Sequence, residues 1–184
     1  MSGYCWGERK VRGWNAAGLV AILIGVFWAY VPFAFAAGEA AQTLQVKVTH
    51  YAVSSQVLPA GDEEAHVIGM GKREGEAQFS NGETAKYSTV FTFDAYRGKP
   101  VPSRGYTKFE FNDGASFSLS WESKTVPDKD GLAATSGQGT IIKGVGRFNG
   151  IKGSAVYSGK ELKPASEDPK RTTVTNATIT YTLP

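Results

Sequence analysis

The sequence predicts an all-β domain, and three features of residues 42–184 support this prediction. Apolar and polar residues alternate along several segments, Asn-Gly and Asp-Gly pairs stand between such segments, and helical periodicity is confined to one or two turns. Alternation with a period of two is typical of antiparallel strands that have one buried and one wet face. About eight such strands must close into a barrel or stack as a two-sheet sandwich to protect their edges.

The N-terminal segment has the pattern of a secretory signal peptide. Residues 16–37 contain no charged side chain, basic residues precede them, and residues 34–36 read Ala-Phe-Ala. Small residues at this spacing suit a signal peptidase, so we expect residues 1–36 to be removed and the mature chain to begin at Ala37. The alternative is an uncleaved membrane anchor, because the apolar run exceeds about 18 residues.

Charge and cysteine usage restrict what the remaining chain can do. Three of the 20 basic and one of the 17 acidic residues lie within residues 1–36, so the rest of the chain is close to neutral and has no basic run for nucleic acid. The only cysteine, Cys5, also lies there, which leaves the domain without a disulfide, a thiol nucleophile or a cysteine metal site. We expect a periplasmic or secreted bacterial protein that meets a membrane only if the leader is uncleaved.

Alternation assigns an inner and an outer face to each predicted strand. Leu44, Val46 and Val48 share one face of the first strand, and the same parity extends to His50. The alternating positions of later strands are Tyr87, Thr89, Phe91 and Phe93; Ala115, Phe117, Leu119 and Trp121; and Ala177, Ile179, Tyr181 and Leu183.

The turn signals divide the chain into hairpins within one domain, residues 42–184. Asn81-Gly82 and Asp113-Gly114 each separate two alternating runs, which is a strong short-range hairpin signal. Composition predicts longer loops at 54–65, 97–105, 124–138 and 160–171.

The segment 144–153, GVGRFNGIKG, is the least ordinary stretch of the sequence. A phosphate loop is excluded because no helix follows it, and a flexible linker is disfavoured because Phe148 and Ile151 are spaced to pack. We predict a tight corner in which glycine permits positive φ and close backbone approach while Phe148 closes one end of the β-structure. The corner residues are Gly144, Gly146, Phe148, Gly150 and Gly153.

This corner, with the preceding segments HVIGMGKREGEAQFSNGE and FEFNDGASFSLSW, resembles the allene oxide cyclase-like and dirigent-like barrels, in their bacterial secreted branch. The resemblance covers roughly residues 44–183 and implies a closed eight-stranded antiparallel barrel around an apolar cavity. Plant members of the family cyclise an unstable fatty-acid epoxide or steer phenolic radical coupling, and they need no cofactor. The cyclase also uses a glutamate near the start of its first strand and a cavity cysteine. The first strand here, LQVKVTHYAV, contains no acid, and the domain has no cysteine.

We therefore expect an exported barrel that binds a small apolar molecule in its interior. One version is a cofactor-free isomerase or cyclase; the alternatives are a non-catalytic carrier and an envelope interaction module with a filled barrel. Neither a cofactor nor a metal is expected, because His50 and His66 lie on different strands without a clear acidic partner. A Ser-His-Asp triad has no support, since no nucleophile elbow precedes a helix.

Candidate site residues follow from strand parity. His50 is the candidate catalytic residue, because an inward imidazole can orient or protonate a ligand near its ordinary pKa of about 6.5; the alternative places it at the rim. Glu110 is expected to point outward, and Arg147 is expected to be solvated unless it holds a carboxylate at a barrel mouth. The candidate ligand-binding residues, which would otherwise be ordinary core, are Phe91, Phe93, Phe117, Trp121 and Tyr157.

Overall fold

A computed structural model describes residues 40–129 and 131–184 of the chain. The predicted signal peptide or anchor, with its cleavage at Ala37, lies outside the described residues. The strands are β1 (Gln42–Pro59), β2 (His66–Phe79), β3 (Thr84–Tyr96), β4 (Val101–Phe111), β5 (Ser116–Pro127), β6 (Ala133–Val145), β7 (Lys152–Glu161) and β8 (Thr173–Thr182). No helix within the described ranges has the length and apolar character needed to cross a membrane.

The strands form a closed antiparallel barrel in which each strand pairs with its neighbours in sequence. β1 also pairs with β8, from Gln42 opposite Tyr181 to His50 opposite Thr173, and this pairing closes the sheet. The fold class predicted from the sequence is confirmed, and closure decides for a barrel over a sandwich. Closure gives every strand a partner on both sides over part of its length, and the part of β1 beyond His50 pairs with β2 alone.

Two predicted hairpins are confirmed and share one turn geometry. Gly82 donates its N–H to the carbonyl of Phe79, and Gly114 does the same to Phe111, each over 3.0 Å. Both glycines adopt positive φ, at 88° and 79°. A type I turn followed by a glycine in this region is a common three-residue hairpin connection, and it explains the repeated Asx-Gly pair.

The loops predicted at 54–65, 97–105, 124–138 and 160–171 are wrong in extent, because the strands are longer than the sequence predicts. Strand β1 continues to Pro59, β4 begins at Val101, and β5 and β6 extend to Pro127 and from Ala133. The true connections are therefore short, except for 162–172. Serine, glycine and proline are weak loop signals here, because ladder pairing with a neighbouring strand overrides weak local propensity.

One end of the barrel is closed by packed side chains. Phe148 is 6% exposed and contacts Phe111 and Phe117, with ring centroids 5.0 and 5.2 Å apart. The buried cluster at this end also includes Val46, Phe79, Phe109, Ile151, Ile179 and Tyr181. The ends of β1, β3, β5 and β7 lie at the opposite end of the barrel, which carries the 162–172 loop.

The glycines of the 144–153 corner serve two different purposes. Gly146 and Gly150 adopt positive φ, at 67° and 79°, around a single turn of 3-10 helix, Gly146–Phe148. Gly144 and Gly153 instead allow close approach: an added Cβ would lie 1.8 Å from the Phe148 carbonyl oxygen and 2.2 Å from that of Thr180. The corner thus needs glycine for conformation at two positions and for space at two others.

Candidate functional site

The barrel encloses a cavity of about 300 Å³ between its closed end and the 162–172 loop. This volume is at the lower end of the usual range for small-molecule pockets. Its wall is divided: strands β3 to β5 contribute aromatic, aliphatic and small hydroxyl side chains, whereas the charged and imidazole side chains lie on β1, β2, β7 and the chain that enters β8. The polar cluster consists of His50, Arg73, Glu161, Arg171, Thr173 and Thr175.

His50 is held in a single tautomer by its two neighbours. The Nε–H of Arg73 donates a hydrogen bond to His50 Nδ1 over 2.9 Å, so Nδ1 carries a lone pair. The proton of the neutral imidazole therefore lies on Nε2, which donates to Thr175 Oγ1 over 3.0 Å. Both ring nitrogens are engaged by protein groups.

The protonated form of His50 is strongly disfavoured. Burial and, to a smaller extent, the positive charge of Arg73 together lower the pKa of His50 to about 3. The side chain is 6% exposed and lies with its ring centroid 5.1 Å from that of Tyr87. The expectation of an ordinary imidazole titrating near pH 6.5 is wrong, because that expectation left out desolvation and the neighbouring guanidinium.

Arg73 joins three segments that are remote in sequence. Besides its bond to His50, its Nη2 donates to the carbonyl of Arg171 and, over 2.7 Å, to Thr173 Oγ1. These contacts tie β2 to β1 and to the chain entering β8. Burial lowers the pKa of Arg73, since the guanidinium is largely removed from water.

An ion pair stands beside Arg73 on the same wall. Arg171 Nε donates to Glu161 Oε1 over 2.6 Å, and Glu161 is 6% exposed. The other carboxylate oxygen of Glu161 accepts the backbone N–H of Ala133 at 3.4 Å. Glu161 is thus committed to Arg171 and to the start of β6.

The aromatic wall faces this cluster across the barrel. Phe91 lies between Phe93 and Trp121, at centroid distances of 6.2 and 6.1 Å, and Tyr157 meets the Trp121 ring edge-on at 6.2 Å. The indole Nε1–H of Trp121 donates to Thr89 Oγ1 over 3.2 Å, which fixes the ring orientation. The phenol of Tyr157 stays protonated, because burial raises its pKa.

The structure distributes the sequence-predicted residues between two regions. His50, Phe91, Phe93, Trp121 and Tyr157 all line the cavity. Phe117, at 2% exposure, instead belongs to the closed-end cluster. It was assigned to the cavity because parity reports the inner face without reporting the depth along the barrel.

Two charged candidates point away from the cavity. Glu110 pairs with Lys108 on the outer face over 2.5 Å, as the outward assignment expects. Arg147 pairs with Glu83 at 2.6 Å and with Asp113 at 3.2 Å at the closed end, where it also stacks over Phe148. It therefore stands at a closed end and not at a mouth.

Sequence reasoning missed Arg73, Glu161 and Arg171 as parts of the site. Arg73 had a usable signal, because it shares parity with Ala77 and Phe79, which are buried. Glu161 and Arg171 lie at the borders of a charged loop and carried no such signal. Within residues 40–129 and 131–184, no group of three or more histidine, cysteine or acidic side chains has a geometry that could hold a metal ion.

His66 forms a separate cluster on the outer face, near the 60–65 loop. Its Nδ1 contacts Asp62 Oδ1 at 2.5 Å, its Nε2 contacts Asp94 Oδ1 at 2.7 Å, and its ring stacks on Tyr96 at 3.8 Å. Burial by itself lowers the pKa of His66, but the two carboxylates outweigh it and the net shift is upward. The protonated imidazole thus fastens the 60–65 loop to β3.

We expect His66 to titrate above its ordinary pKa of about 6.5. The ion pairs of the protonated His66 with Asp62 and Asp94 are fully formed below pH 6.5. They are lost as the pH rises through the raised pKa, because the folded state then releases the proton. An NMR titration of the imidazole resonances measures this value directly. The Asp94→Asn variant is expected to lower it, whereas Asp113→Asn, a matched change at the other end of the barrel, leaves it unchanged. A pKa of His66 at or below 6.5 in the wild type would contradict stabilisation of the protonated imidazole by Asp62 and Asp94.

No family model and no curated protein matches the chain. Among solved structures, the pterocarpan synthase dirigent protein PsPTS1 matches with a TM-score of 0.43 and 10% identity, over 79% of this chain and 98% of that chain. The pterocarpan synthase dirigent protein GePTS1 matches with a TM-score of 0.43 and 12% identity, over 79% and 90%. Similarity at this level carries no argument about activity, and the barrel assignment rests on its own strand pairings. The bacterial branch of the resemblance stays a prediction.

Proposed function

We propose that this protein binds a small, largely apolar molecule inside its barrel. The observation that carries the proposal is the cavity of about 300 Å³, which has aromatic side chains on one wall and a polar cluster on the other. Apolar walls with a few convergent polar groups are typical of ligand pockets. The alternative of an interaction module with a filled barrel receives no support from an interior of this kind.

Among the two small-molecule versions, the geometry favours a binder or carrier over an isomerase or cyclase. General acid–base catalysis needs a group that can exchange a proton with the substrate at the working pH. Both nitrogens of His50 are engaged and its pKa is about 3, while the Glu161 carboxylate is paired with Arg171. We propose that His50 positions Arg73. The catalytic role of His50 stays a prediction. Export to a bacterial periplasm or medium is likewise a proposal, resting on residues 1–36.

Ligand binding is expected to change the fluorescence of Trp121, which lines the cavity. The full chain is titrated with a panel of fatty acids and phenolics, and the Trp121→Phe variant measures the signal of the three remaining tryptophans. We expect Ala133→Phe, which projects a ring into the cavity, to weaken binding at least about tenfold. Ala134→Phe is the matched control, because the adjacent side chain points outward. Thermal unfolding measures whether both variants are folded.

Two results would contradict the binding proposal. One is the absence of any response across the panel. The other is equal affinity in the wild type, Ala133→Phe and Ala134→Phe, since a ligand that ignores a blocked cavity binds on the outside.

A further inference from the structure

We propose that the molecule bound in the barrel is a small amphipathic carboxylate, whose anionic group pairs with Arg73 while its apolar part lies against Phe91 and Trp121. This inference rests on the proposed small-molecule binding and adds the chemical class of the ligand. It follows from the missing counter-charge and the unused donors of Arg73, from the charge balance of the cavity wall and from the held orientation of the guanidinium.

Arg73 is a largely buried cation without an acidic partner in the described chain. Within residues 40–129 and 131–184, no carboxylate lies within 4.0 Å of its guanidinium, although the neighbouring Arg171 is paired with Glu161. Its closest side-chain acceptors, His50 and Thr173, are uncharged. A buried charge normally has a counter-charge, because removing an ion from water is costly. An anionic ligand would supply that counter-charge.

The guanidinium also retains unused donors. Its Nε and Nη2 are bonded to His50, Thr173 and the Arg171 carbonyl, whereas Nη1 has no hydrogen-bond partner in the described part of the chain. No buried side-chain nitrogen or oxygen there lacks a partner, so Nη1 is accessible. The side chain forms part of the cavity wall. The two N–H groups of Nη1 remain able to donate charge-assisted hydrogen bonds to a carboxylate oxygen.

The polar wall carries an excess of positive charge. Arg73 and Arg171 are the cations of the cavity lining, Glu161 is its carboxylate, and His50 is neutral. Glu161 is bonded to Arg171, which leaves the charge of Arg73 uncompensated at close range. The negative charges of Glu161 and Asp168 raise the pKa of Arg73 from a distance, and neither carboxylate forms an ion pair with its guanidinium. A neutral ligand would leave this imbalance in place.

The held orientation of Arg73 supports a binding role. His50 accepts its Nε–H and Thr173 accepts from Nη2, so the guanidinium plane is fixed before a ligand arrives. A preorganised side chain loses less conformational entropy on binding than a free one. The low pKa of His50 keeps Nδ1 available as an acceptor through the physiological range, and this preserves the orientation.

The test compares carboxylates with alcohols of the same shape. The full chain is titrated calorimetrically at pH 7 with cinnamate and cinnamyl alcohol, with phenylacetate and phenylethanol, and with octanoate and octanol. We expect the carboxylate of at least one pair to bind about tenfold or more tightly than its alcohol. In Arg73→Met and Arg73→Gln this preference is expected to fall to about twofold or less. Arg73→Gln retains an amide donor for Thr173 and is expected to preserve the local fold, which thermal unfolding measures.

The control is Arg104→Met, which removes the same charge from the exposed outer face of β4. It is expected to keep the preference for carboxylate, because a charge outside the barrel is screened. Equal binding of acid and alcohol in every pair, or a preference that survives both Arg73 variants, would overturn the carboxylate proposal and leave small-molecule binding intact. A wild-type protein that binds no member of any pair would overturn both proposals.

Discussion

Replacing Gly144 by alanine is expected to lower the free energy of unfolding by about 3 kcal/mol or more. A Cβ at this position would lie 1.8 Å from the Phe148 carbonyl oxygen and 2.6 Å from Ile151 Cγ2. The oxygen belongs to the backbone of the corner and cannot rotate away, so the corner itself must shift. Because Phe148 and Ile151 are both part of the closed-end cluster, that shift also loosens the core. Chemical denaturation of the two proteins measures the difference.

The matched control is Gly131→Ala, in the connection between β5 and β6. Gly131 has a φ of 76° but no atom within 4 Å of an added Cβ, so this variant reports backbone strain alone. We expect it to cost about 1 kcal/mol. If both variants lose the same free energy of unfolding, the backbone of the corner adjusts to a Cβ at Gly144 at little cost. The close packing of the corner then contributes little to stability.

Acid is expected to destabilise the protein through His50 well before the carboxylates protonate. The pKa of this imidazole is about 3 in the folded state and about 6.5 in the unfolded chain. In this pH range His50 is protonated in the unfolded chain and neutral in the folded state. The free energy of unfolding therefore falls as the pH drops from 6.5 toward 3. Between pH 8 and pH 5 the expected loss is about 2 kcal/mol.

The variant His50→Gln isolates this contribution. Glutamine supplies an acceptor for Arg73 and a donor for Thr175 but does not titrate, so its stability curve is expected to be flatter by about 2 kcal/mol over the same range. His66→Gln provides the matched change at the other histidine, whose raised pKa acts in the opposite direction and at higher pH. Parallel curves for the wild type and His50→Gln between pH 8 and pH 5 would show that His50 is free to protonate in the barrel.

Much of the barrel could be predicted from local pattern. The Asn81-Gly82 and Asp113-Gly114 turns require only neighbouring residues, because a positive φ at the glycine sets the hairpin. Parity placed His50 and Trp121 on the inner face, since side chains alternate strictly along a regular strand. Parity fails where the strand is irregular. The register of β1 against β2 shifts between Ala52 and Ser54, and no pattern in the sequence marked that shift.

Strand length was predicted less well than strand position. The serine-rich and glycine-rich segments at the ends of β1 and β6 have weak propensity for strand, and the sequence analysis assigned them to loops. In the barrel the end of β1 pairs with β2, and the start of β6 pairs on both sides, as with Gly137 between Ser123 and Tyr157. A Cβ added at Gly137 would lie 2.7 Å from the Cζ atom of the Tyr157 ring, so a glycine that weakens a lone strand makes room for a ring here.

By itself, the sequence determined the fold class, the turns and the inward face of His50, Phe91 and Trp121, because each depends on residues close together in the chain. Only the tertiary structure decided the chemistry of the site. Arg73 meets His50 across 23 positions and Thr173 across 100, and these contacts set the tautomer of one and the orientation of the other. A pKa depends on burial and on neighbouring charge: the pairing of β2 with β1 brings Arg73 beside His50, and the closing of β8 on β1 buries the pair. The sequence predicts that His50 is an acid–base group. In the folded barrel it is a neutral imidazole that holds the buried guanidinium of Arg73.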